Sequence, residues 1–291
     1  MDAGTLIVAG LATGSLYALV ALGLVLIYKT QDVVNFAHGE ILMVGAFIGY
    51  TAYEILDLPY ALAFLVSVVL GGVLGAIIER TAFRRLAHHH HITLAMVTVG
   101  LSFALRGSAR VPFGMDIYTL PPIFSGTAPI RMGNTIISPH SLVTLAITAA
   151  ITVGLFMMFA WTKIGKQMRA TQQNIIGAAI VGINTGKIFS YTWALSAAIG
   201  AAAGMLAAPV SLLYPDMGAG FLLKGFAAAV LGGFESVVGA IVGGLLVGLI
   251  EILFGAYVST AFQHISAFVI IIVVMFFRPH GLFGHKPVHR V

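Results

Sequence analysis

Three polar side chains in one short segment are the strongest candidates for chemistry in this sequence. Asn35, His38 and Glu40 place an amide, an imidazole and a carboxylate at the head of an apolar run, Val33–Tyr53. Polar groups at membrane depth are costly and usually mark a solute pathway or a buried contact. The segment therefore predicts residues that line or gate a translocation path, or residues that hydrogen-bond between helices near the cytoplasmic interface.

The spacing of these three residues limits how they can act together. A regular helix turns by about 100° per residue, so Asn35 and His38 share a face, whereas Glu40 lies about 140° from Asn35. One face can hold all three only if the segment is broken near Gly39.

A second group of candidates lies towards the end of the chain. Gly232 and Gly233 predict a helix break, and Glu235 follows them, so we assign these three residues to the translocation path as well. Glu251 lies within an apolar run beside Gly248, which is typical of an internal hydrogen-bond acceptor.

Catalytic and nucleotide-binding chemistry is not visible in the sequence. A P-loop needs Gly, four residues, then Gly-Lys and Ser or Thr, so that backbone amides can cradle phosphates. The nearest stretch, Gly182 to Ile188, has the wrong spacing and lacks the hydroxyl. The run His88–His91 is predicted not to bind metal, because adjacent histidines alternate around a helix. We predict that the chain is not an enzyme and carries no cofactor.

Composition identifies the broad class of protein. The 291 residues are 59% hydrophobic and 9% charged, with a mean hydropathy of +1.01, whereas soluble domains hold about 25% charged residues. This length allows about seven to nine spans of roughly 20 residues. The basic residues sit in short clusters between apolar runs, so the net charge of +5 indicates membrane orientation rather than nucleic-acid binding.

The apolar runs predict an all-α, polytopic inner-membrane helical bundle that forms a single domain over residues 1–291. We expect about eight membrane segments, including broken or re-entrant ones where the runs are short, at Thr93–Leu105, Phe221–Gly233 and Phe262–Phe277. The stretch Phe221–Leu253 is predicted either to split into two spans or to form a re-entrant hairpin. The first run, Thr5–Ile27, lacks a basic leader and is interpreted as a retained helix.

Orientation follows from the positive-inside rule, which places basic loops in the cytoplasm. The rule predicts an external N-terminus, a periplasmic loop at 106–140 and a cytoplasmic loop at 162–190. The three clusters assigned to the cytoplasm are Arg80, Arg84 and Arg85; Lys163, Lys166, Arg169 and Lys187; and Arg278, Lys286 and Arg290.

The cytoplasmic loop 162–190 predicts a short amphipathic helix. Ile164, Met168, Ile175 and Ala179 recur at helical spacing with polar residues between them. Such a helix needs a surface to pack on, which is either the membrane or the groove of a partner protein.

The chain also resembles a known family along nearly its whole length. Asn35-Phe36-Ala37-His38-Gly39-Glu40, followed by Gly45-Ala46, resembles the N-terminal signature of the membrane permeases of branched-chain amino acid ABC importers. The loop 162–190 is similar to the coupling loop of that family, which docks into a groove of the ATPase subunit. Its matching residues are Thr162, Gly165, Arg169-Ala170, Gln173-Asn174, Ala179 and Gly182-Ile183. Further matches are Glu79-Arg80, Arg84, Thr98-Val99-Gly100, Lys224-Gly225-Phe226, Leu231-Gly232-Gly233, Gly239-Ala240, Glu251 and the stretch Arg278 to Gly284.

The resemblance implies a transport subunit of the bacterial inner membrane that is one part of a larger importer. Its expected partners are a second related permease, two ATPase subunits that bind the ATP, and a periplasmic substrate-binding protein. Gly165, Arg169, Ala170 and Gly182 are expected to shape the ATPase contact. The acidic residue that the family carries before the alanines is absent, since Ile176 and Gly177 stand there.

Other functions stay open at this point. The same family could carry another small solute, such as urea, an aromatic acid or a sugar. An ion-coupled secondary carrier would need titratable groups at the bilayer centre, where Glu251 is the plausible residue by depth. A purely structural membrane subunit is disfavoured by the recurrent helix breaks.

Overall fold

The computed structural model describes residues 2–86, 90–124, 126–133 and 135–284. The helices, in chain order, are α1 (Ala3–Gln31), α2 (His38–Tyr50), α3 (Tyr60–Ile78), α4 (Arg84–Leu86), α5 (His91–Phe113), α6 (Pro139–Trp161), α7 (Lys163–Gln173), α8 (Ile175–Ile180), α9 (Thr185–Ser211), α10 (Met217–Gly232), α11 (Val237–Tyr257) and α12 (Ser266–Phe277). Short π-helical segments, Thr51–Ile55 and Glu79–Phe83, extend α2 and α3, and a 3-10 segment, Thr260–Ile265, precedes α12. Strands β1 (Ile130–Met132) and β2 (Thr135–Ile137) form one small antiparallel hairpin.

The predicted all-α, polytopic fold is confirmed within the described residues. Six of the helices are long and apolar enough to cross a membrane, and the shorter apolar helices α10 and α12 bring the number to about eight. The connection between α5 and α6 contains the β1–β2 hairpin, which the sequence did not predict.

Helix α1 runs through the centre of the bundle and is held by α9, α10 and α11. The side chains of Leu19, Leu22 and Leu26 are fully buried. A Cβ atom added to Gly14 would lie only 2.8 Å from the carbonyl oxygen of Gly244, so the backbones of α1 and α11 touch. Small residues allow this approach, which matters in lipid because apolar side chains gain little by leaving it.

Helix α2 begins inside the bundle rather than at its surface. The chain leaves α1 through Asp32, which adopts a left-handed conformation with φ of 53°. It then doubles back, so that His38 contacts Gly23 of α1. Gly23 lies eight residues before the end of α1, which is about 12 Å along the helix. The segment between α1 and α2 therefore re-enters the bundle.

Helix α5 is longer than its apolar run predicted. The run Thr93–Leu105 suggested a broken or re-entrant segment, but α5 has 23 residues and ends at Phe113. It continues through Arg106 and Arg110 because both guanidinium groups are paired with acidic side chains. The connection to α6 therefore spans 114–138 rather than the predicted 106–140.

The glycine pair Gly232 and Gly233 interrupts the helical structure between α10 and α11. Helix α10 ends at Gly232, and Gly233 has a φ of 98°, a conformation that favours glycine. The two helices then pack against each other. The short runs predicted for α10 and α12 are present as helices of 16 and 12 residues.

The basic loops gather at one end of the bundle, which we term the basic end. Arg84 donates hydrogen bonds to the Gly186 carbonyl and the Ser190 hydroxyl, which joins the first cluster to the start of α9. Lys29 and Arg169 line one cavity near the start of α11. This is the end that the positive-inside rule predicts to face the cytoplasm.

Candidate functional site

The segment between α1 and α2 brings the predicted polar trio into the bundle. The Asn35 side-chain oxygen accepts a hydrogen bond from the Ala37 amide at 3.0 Å, and the Phe36 amide donates to the Thr98 hydroxyl of α5 at 3.1 Å. Local bonds of this kind compete with helix formation. The helix therefore begins at His38, and the regular-helix geometry expected from the sequence does not apply to Asn35.

His38 is fully buried between α1 and α9. Gly23 and Gly200 make room for its ring, since a Cβ atom on Gly23 would overlap the Nε2 atom. The Ser196 hydroxyl lies 3.5 Å from Nδ1 and donates instead to the Gly23 carbonyl at 2.8 Å. His38 therefore faces the packed interior of this chain, and its Nε2 atom has no hydrogen-bond partner among the residues that the structure describes.

Glu40 begins a chain of alternating charges that the sequence did not reveal. Its carboxylate pairs with the guanidinium of Arg106 on α5. The Arg106 Nε atom lies 3.4 Å from Asp216, which precedes α10, and Arg110 pairs with Asp216 at 2.8 Å. Among the described residues, no hydrogen bond or ion pair joins Asn35 or His38 to these four charged side chains. We call all six residues, Asn35, His38, Glu40, Arg106, Asp216 and Arg110, the polar cluster.

Exposure increases along this chain of charges. The side chain of Glu40 is 2% exposed, Arg106 is 22% exposed, and Asp216 and Arg110 are 39% and 40% exposed. The cluster therefore leads from the interior of the bundle to the surface of this chain.

The polar cluster has unused hydrogen-bonding capacity. Among the described residues, four of its buried side-chain atoms form no hydrogen bond, namely Asn35 Nδ2, His38 Nε2, Glu40 Oε2 and Arg106 Nε. Of these, Arg106 Nε has an ionic contact with Asp216. Buried polar atoms are normally paired, so a group of unpaired ones calls for an explanation.

Helix α2, which has 13 residues and is continued by the π-helical segment Thr51–Ile55, and helix α10, which has 16 residues, both begin beside this cluster. Gly39 in the first turn of α2 contacts Gly218 in the first turn of α10, and a Cβ atom on either glycine would overlap the backbone of the other. Helix N-termini carry a partial positive charge that favours anions.

The other predicted path residues lie at the basic end, away from the polar cluster. Gly232 and Gly233 end α10, and the C-terminal segment packs on them through hydrogen bonds from Leu282 and Phe283 to the carbonyls of Leu231 and Gly232. Glu235 is exposed beside them. Fifteen residues of α10 separate Gly218 from Gly233, which is roughly 22 Å.

The loop 162–190 forms two helices rather than the single amphipathic helix that was predicted. Asn174 adopts an extended conformation between α7 and α8 and caps α8 by accepting from the Gly177 amide at 2.8 Å. Of the predicted apolar face, Met168 is buried, but Ile164 and Ile175 are 42% and 45% exposed. The change of direction at Asn174 explains the difference.

Helix α8 displays an apolar surface at the basic end. The side chains of Ile176, Ile180 and Val181 are 74%, 79% and 75% exposed. Gly182 follows with a φ of 87° and reverses the chain towards α9. Arg169 is exposed on α7 and Ala170 is half-buried.

Gly165 holds α7 against the end of α6. A Cβ atom at this position would overlap the carbonyl oxygen of Met158. The Gly165 amide donates to the Thr162 hydroxyl at 3.0 Å, which caps α7. Glycine is therefore required for the angle between α6 and α7.

Replacing Gly165 by alanine is expected to separate α7 from α6, because overpacking of this kind costs about 1–3 kcal/mol. Trypsin should then cleave the loop at Lys163 and Lys166 faster than in the unchanged protein. Gly186→Ala is the matched control, since a Cβ atom there would lie 3.5 Å from its nearest neighbour, an ordinary contact. Equal cleavage of the two variants would contradict the role assigned to Gly165.

Glu251 lies in a second buried network, whose cation the sequence did not identify. It accepts hydrogen bonds from the Tyr17 hydroxyl at 2.7 Å and from Lys224 at 2.6 Å. The Lys224 ammonium also donates to the Tyr17 oxygen at 3.0 Å. Charges within a membrane bundle are expected to be paired, and this expectation could have pointed to Lys224. The pairing was missed because Lys224 and Glu251 are 27 residues apart in the sequence.

Part of the histidine run His88–His91 lies outside the residues that the structure describes. His88 and His89 fall outside the described residues, and the side chain of His91 is not described.

Helices long and apolar enough to cross a membrane, with buried charges between them, are typical of a polytopic membrane transport protein. The profile of the family described as "Branched-chain amino acid transport system / permease component" matches residues 6–277. The chain therefore belongs to this family and is the permease component of an ABC transport system located in the membrane.

Curated relatives extend over nearly the whole chain. The high-affinity branched-chain amino acid transport system permease protein LivH of Escherichia coli strain K12 is 29% identical over 97% of this chain and 96% of its own length. The permease protein BraD of Pseudomonas aeruginosa is 32% identical over 98% of this chain and 97% of its own length. A solved structure described as "PsaBC from Streptococcus pneumoniae in complex with Fab" is similar with a TM-score of 0.49 and 15% identity, covering 94% of this chain and 91% of that one.

Proposed function

We propose that this permease imports branched-chain amino acids together with a second related permease, two ATPase subunits and a periplasmic substrate-binding protein. The family and the names of the relatives LivH and BraD support this solute class. Energy comes from ATP bound by the partner ATPases, in line with the sequence of this chain, which has no P-loop.

The solute path is proposed to run along the polar cluster. Alternating charges on Glu40, Arg106 and Asp216 offer partners to both the ammonium and the carboxylate of an amino acid. Asn35 and His38 line or brace the inner part of the path. Gly232, Gly233 and Glu235 border its cytoplasmic end, about one helix length of α10 away.

The second permease is proposed to cover the outer part of this cluster. Arg110 and Asp216 are about 40% exposed in the isolated chain, and lipid does not solvate charged side chains well. Gly220 follows in the first turns of α10, and no atom of the described residues lies within 4 Å of a Cβ atom added there. A partner permease on this face would enclose the path between the two subunits.

The apolar surface of α8 is the single observation that carries the ATPase contact. Isoleucine and valine side chains exposed by about three quarters at a basic, cytoplasmic surface indicate an interface with a partner protein. Helix-in-groove docking uses such apolar anchors. Gly165 sets the position of α7, Gly182 ends the docking segment, and Arg169 and Ala170 contribute to the contact.

The proposal is tested by exchanging two anchors of α8 for aspartate, Ile176→Asp with Ile180→Asp. A tagged pull-down from native membranes in mild detergent should recover P-loop ATPases and a second permease with the unchanged chain, and should lose the ATPases with the variant. Uptake driven by ATP should fall with them. Ile136→Asp is the matched control, because Ile136 is 49% exposed on the hairpin at the opposite end.

Each part of the proposal has a result that would contradict it. Retention of ATPases and uptake by the α8 variant would exclude α8 as the docking element. A chain that purifies alone and transports without ATP would instead support an ion-coupled carrier. Glu251, the carrier candidate, is already paired with Lys224. Uptake of another solute in preference to leucine, isoleucine and valine would change the solute assignment.

A further inference from the structure

A cavity of about 380 Å³ opens at the basic end, where the ends of four helices meet. Lys29 from the last turn of α1 and Arg169 and Gln172 from α7 supply its polar wall. Phe156 and Phe159 from the last turns of α6, with Val238 from the start of α11, supply its apolar wall. None of these residues belongs to the polar cluster.

Two cations of this cavity, Lys29 and Arg169, form no salt bridge within the described residues, although Glu235 lies near enough to attract Lys29. Arg84, Arg106, Arg110 and Lys224 each form a salt bridge to a carboxylate, whereas Lys29 and Arg169 form none within the described part of the chain. Glu235 is the acidic residue in the lining, so two cations face one carboxylate. The cavity therefore offers a net positive charge to an anion.

The position of the cavity suggests the kind of anion. Its walls are the terminal turns of the membrane helices α1, α6 and α11, which is the depth of lipid head groups. The outward side of α6 continues from the cavity as an apolar strip, with Val153, Phe156 and Met157 each 40% to 51% exposed. A ligand with a phosphate at the cavity and hydrocarbon chains along α6 would satisfy both features.

We propose that this cavity binds the phosphate head group of an anionic phospholipid in the leaflet at the basic end, with Lys29 and Arg169 as its cationic partners. Basic pockets between membrane helices on the cytoplasmic side are suited to such head groups. The lipid would join α1, α6 and α11 to α7 and so stabilise the position of the loop next to the ATPase contact.

The test is native mass spectrometry of the purified transporter in mild detergent, titrated with dioleoyl phosphatidylglycerol. Dioleoyl phosphatidylcholine and glycerol 3-phosphate serve as the neutral lipid and the free phosphate. Lys29→Gln and Arg169→Gln should each weaken phosphatidylglycerol binding about fivefold, the ratio expected for one cation near a membrane surface. Lys29→Arg should preserve it. Lys166→Gln removes an exposed cation from α7, the helix that carries Arg169, and is the matched control. This variant should bind phosphatidylglycerol like the unchanged protein.

Several outcomes would overturn the proposal. Equal binding of the two lipids, or an equal loss with Lys166→Gln, would show general adsorption. Displacement of the lipid by equimolar glycerol 3-phosphate would indicate a site for free anions. Loss of ATPase subunits from Lys29→Gln with unchanged lipid binding would make the cavity a protein contact. Because Arg169 is exposed, Arg169→Gln tests the site even if Lys29→Gln fails to fold.

Discussion

Replacing Lys224 by methionine is expected to destabilise the folded permease by about 3 kcal/mol, because it leaves the buried carboxylate of Glu251 without its cation. Glu251 is 3% exposed and Lys224 is 16% exposed, so water cannot replace the lost partner. The free energy of unfolding can be followed by titrating the purified protein with denaturing detergent.

The double variant, Lys224→Met with Glu251→Leu, is the decisive control. Replacing both members of a buried ion pair by apolar residues is often neutral, so the double variant should be more stable than either single variant. Tyr17→Phe should cost about 1 kcal/mol, since it removes one hydrogen-bonding hydroxyl. If the double variant is as unstable as the sum of the single ones, the pair does not act as a unit.

Replacing Arg106 by leucine is expected to reduce ATP-driven uptake at least tenfold. Arg106 pairs with the buried carboxylate of Glu40, and its removal leaves that carboxylate without its cation, which costs about 2–5 kcal/mol. Asp216 keeps its partner Arg110. Uptake is measured with the complete transporter in proteoliposomes. Arg106→Lys keeps the positive charge but loses the planar guanidinium group, which can donate two parallel hydrogen bonds. An intermediate rate of uptake is therefore expected.

A path along the polar cluster is tested independently of Arg106 substitutions by a thiol reagent that reacts only in water. The chain has no cysteine, so single cysteines can be introduced at Gly220, beside the polar cluster, and at Gly154, in α6. Both glycines have open space for a side chain. A charged thiol reagent should modify Gly220→Cys and block uptake, whereas Gly154→Cys should remain unmodified in lipid. Equal modification of both would contradict a path along the cluster.

The sequence located one half of the polar cluster and missed the other half. Asn35, His38 and Glu40 stood out because they interrupt an apolar run. Arg106 and Arg110 ended an apolar run and were therefore assigned to the loop 106–140. Their acidic partners, Glu40 and Asp216, are distant in sequence, and sequence patterns report only on neighbours along one helix.

Because sequence patterns report only on neighbouring residues, they also did not predict that the loop 162–190 forms two helices. Periodicity identified helical structure there, but it could not show the break at Asn174 that turns α8 outward. Exposure of Ile176, Ile180 and Val181 follows from that turn. Their apolar character was visible in the sequence, while the surface that they form was not.

By itself, the sequence determined the class of this protein, its helical bundle and its family, because hydrophobic length, basic loops and ordered motifs are local properties that lipid imposes on each segment separately. It also determined the break at Gly232 and Gly233. The tertiary structure decided where α2 re-enters the bundle and which cations pair with carboxylates within the described residues. Those outcomes depend on contacts between helices that are far apart in the chain, where the cost of an unpaired charge in lipid selects one packing arrangement.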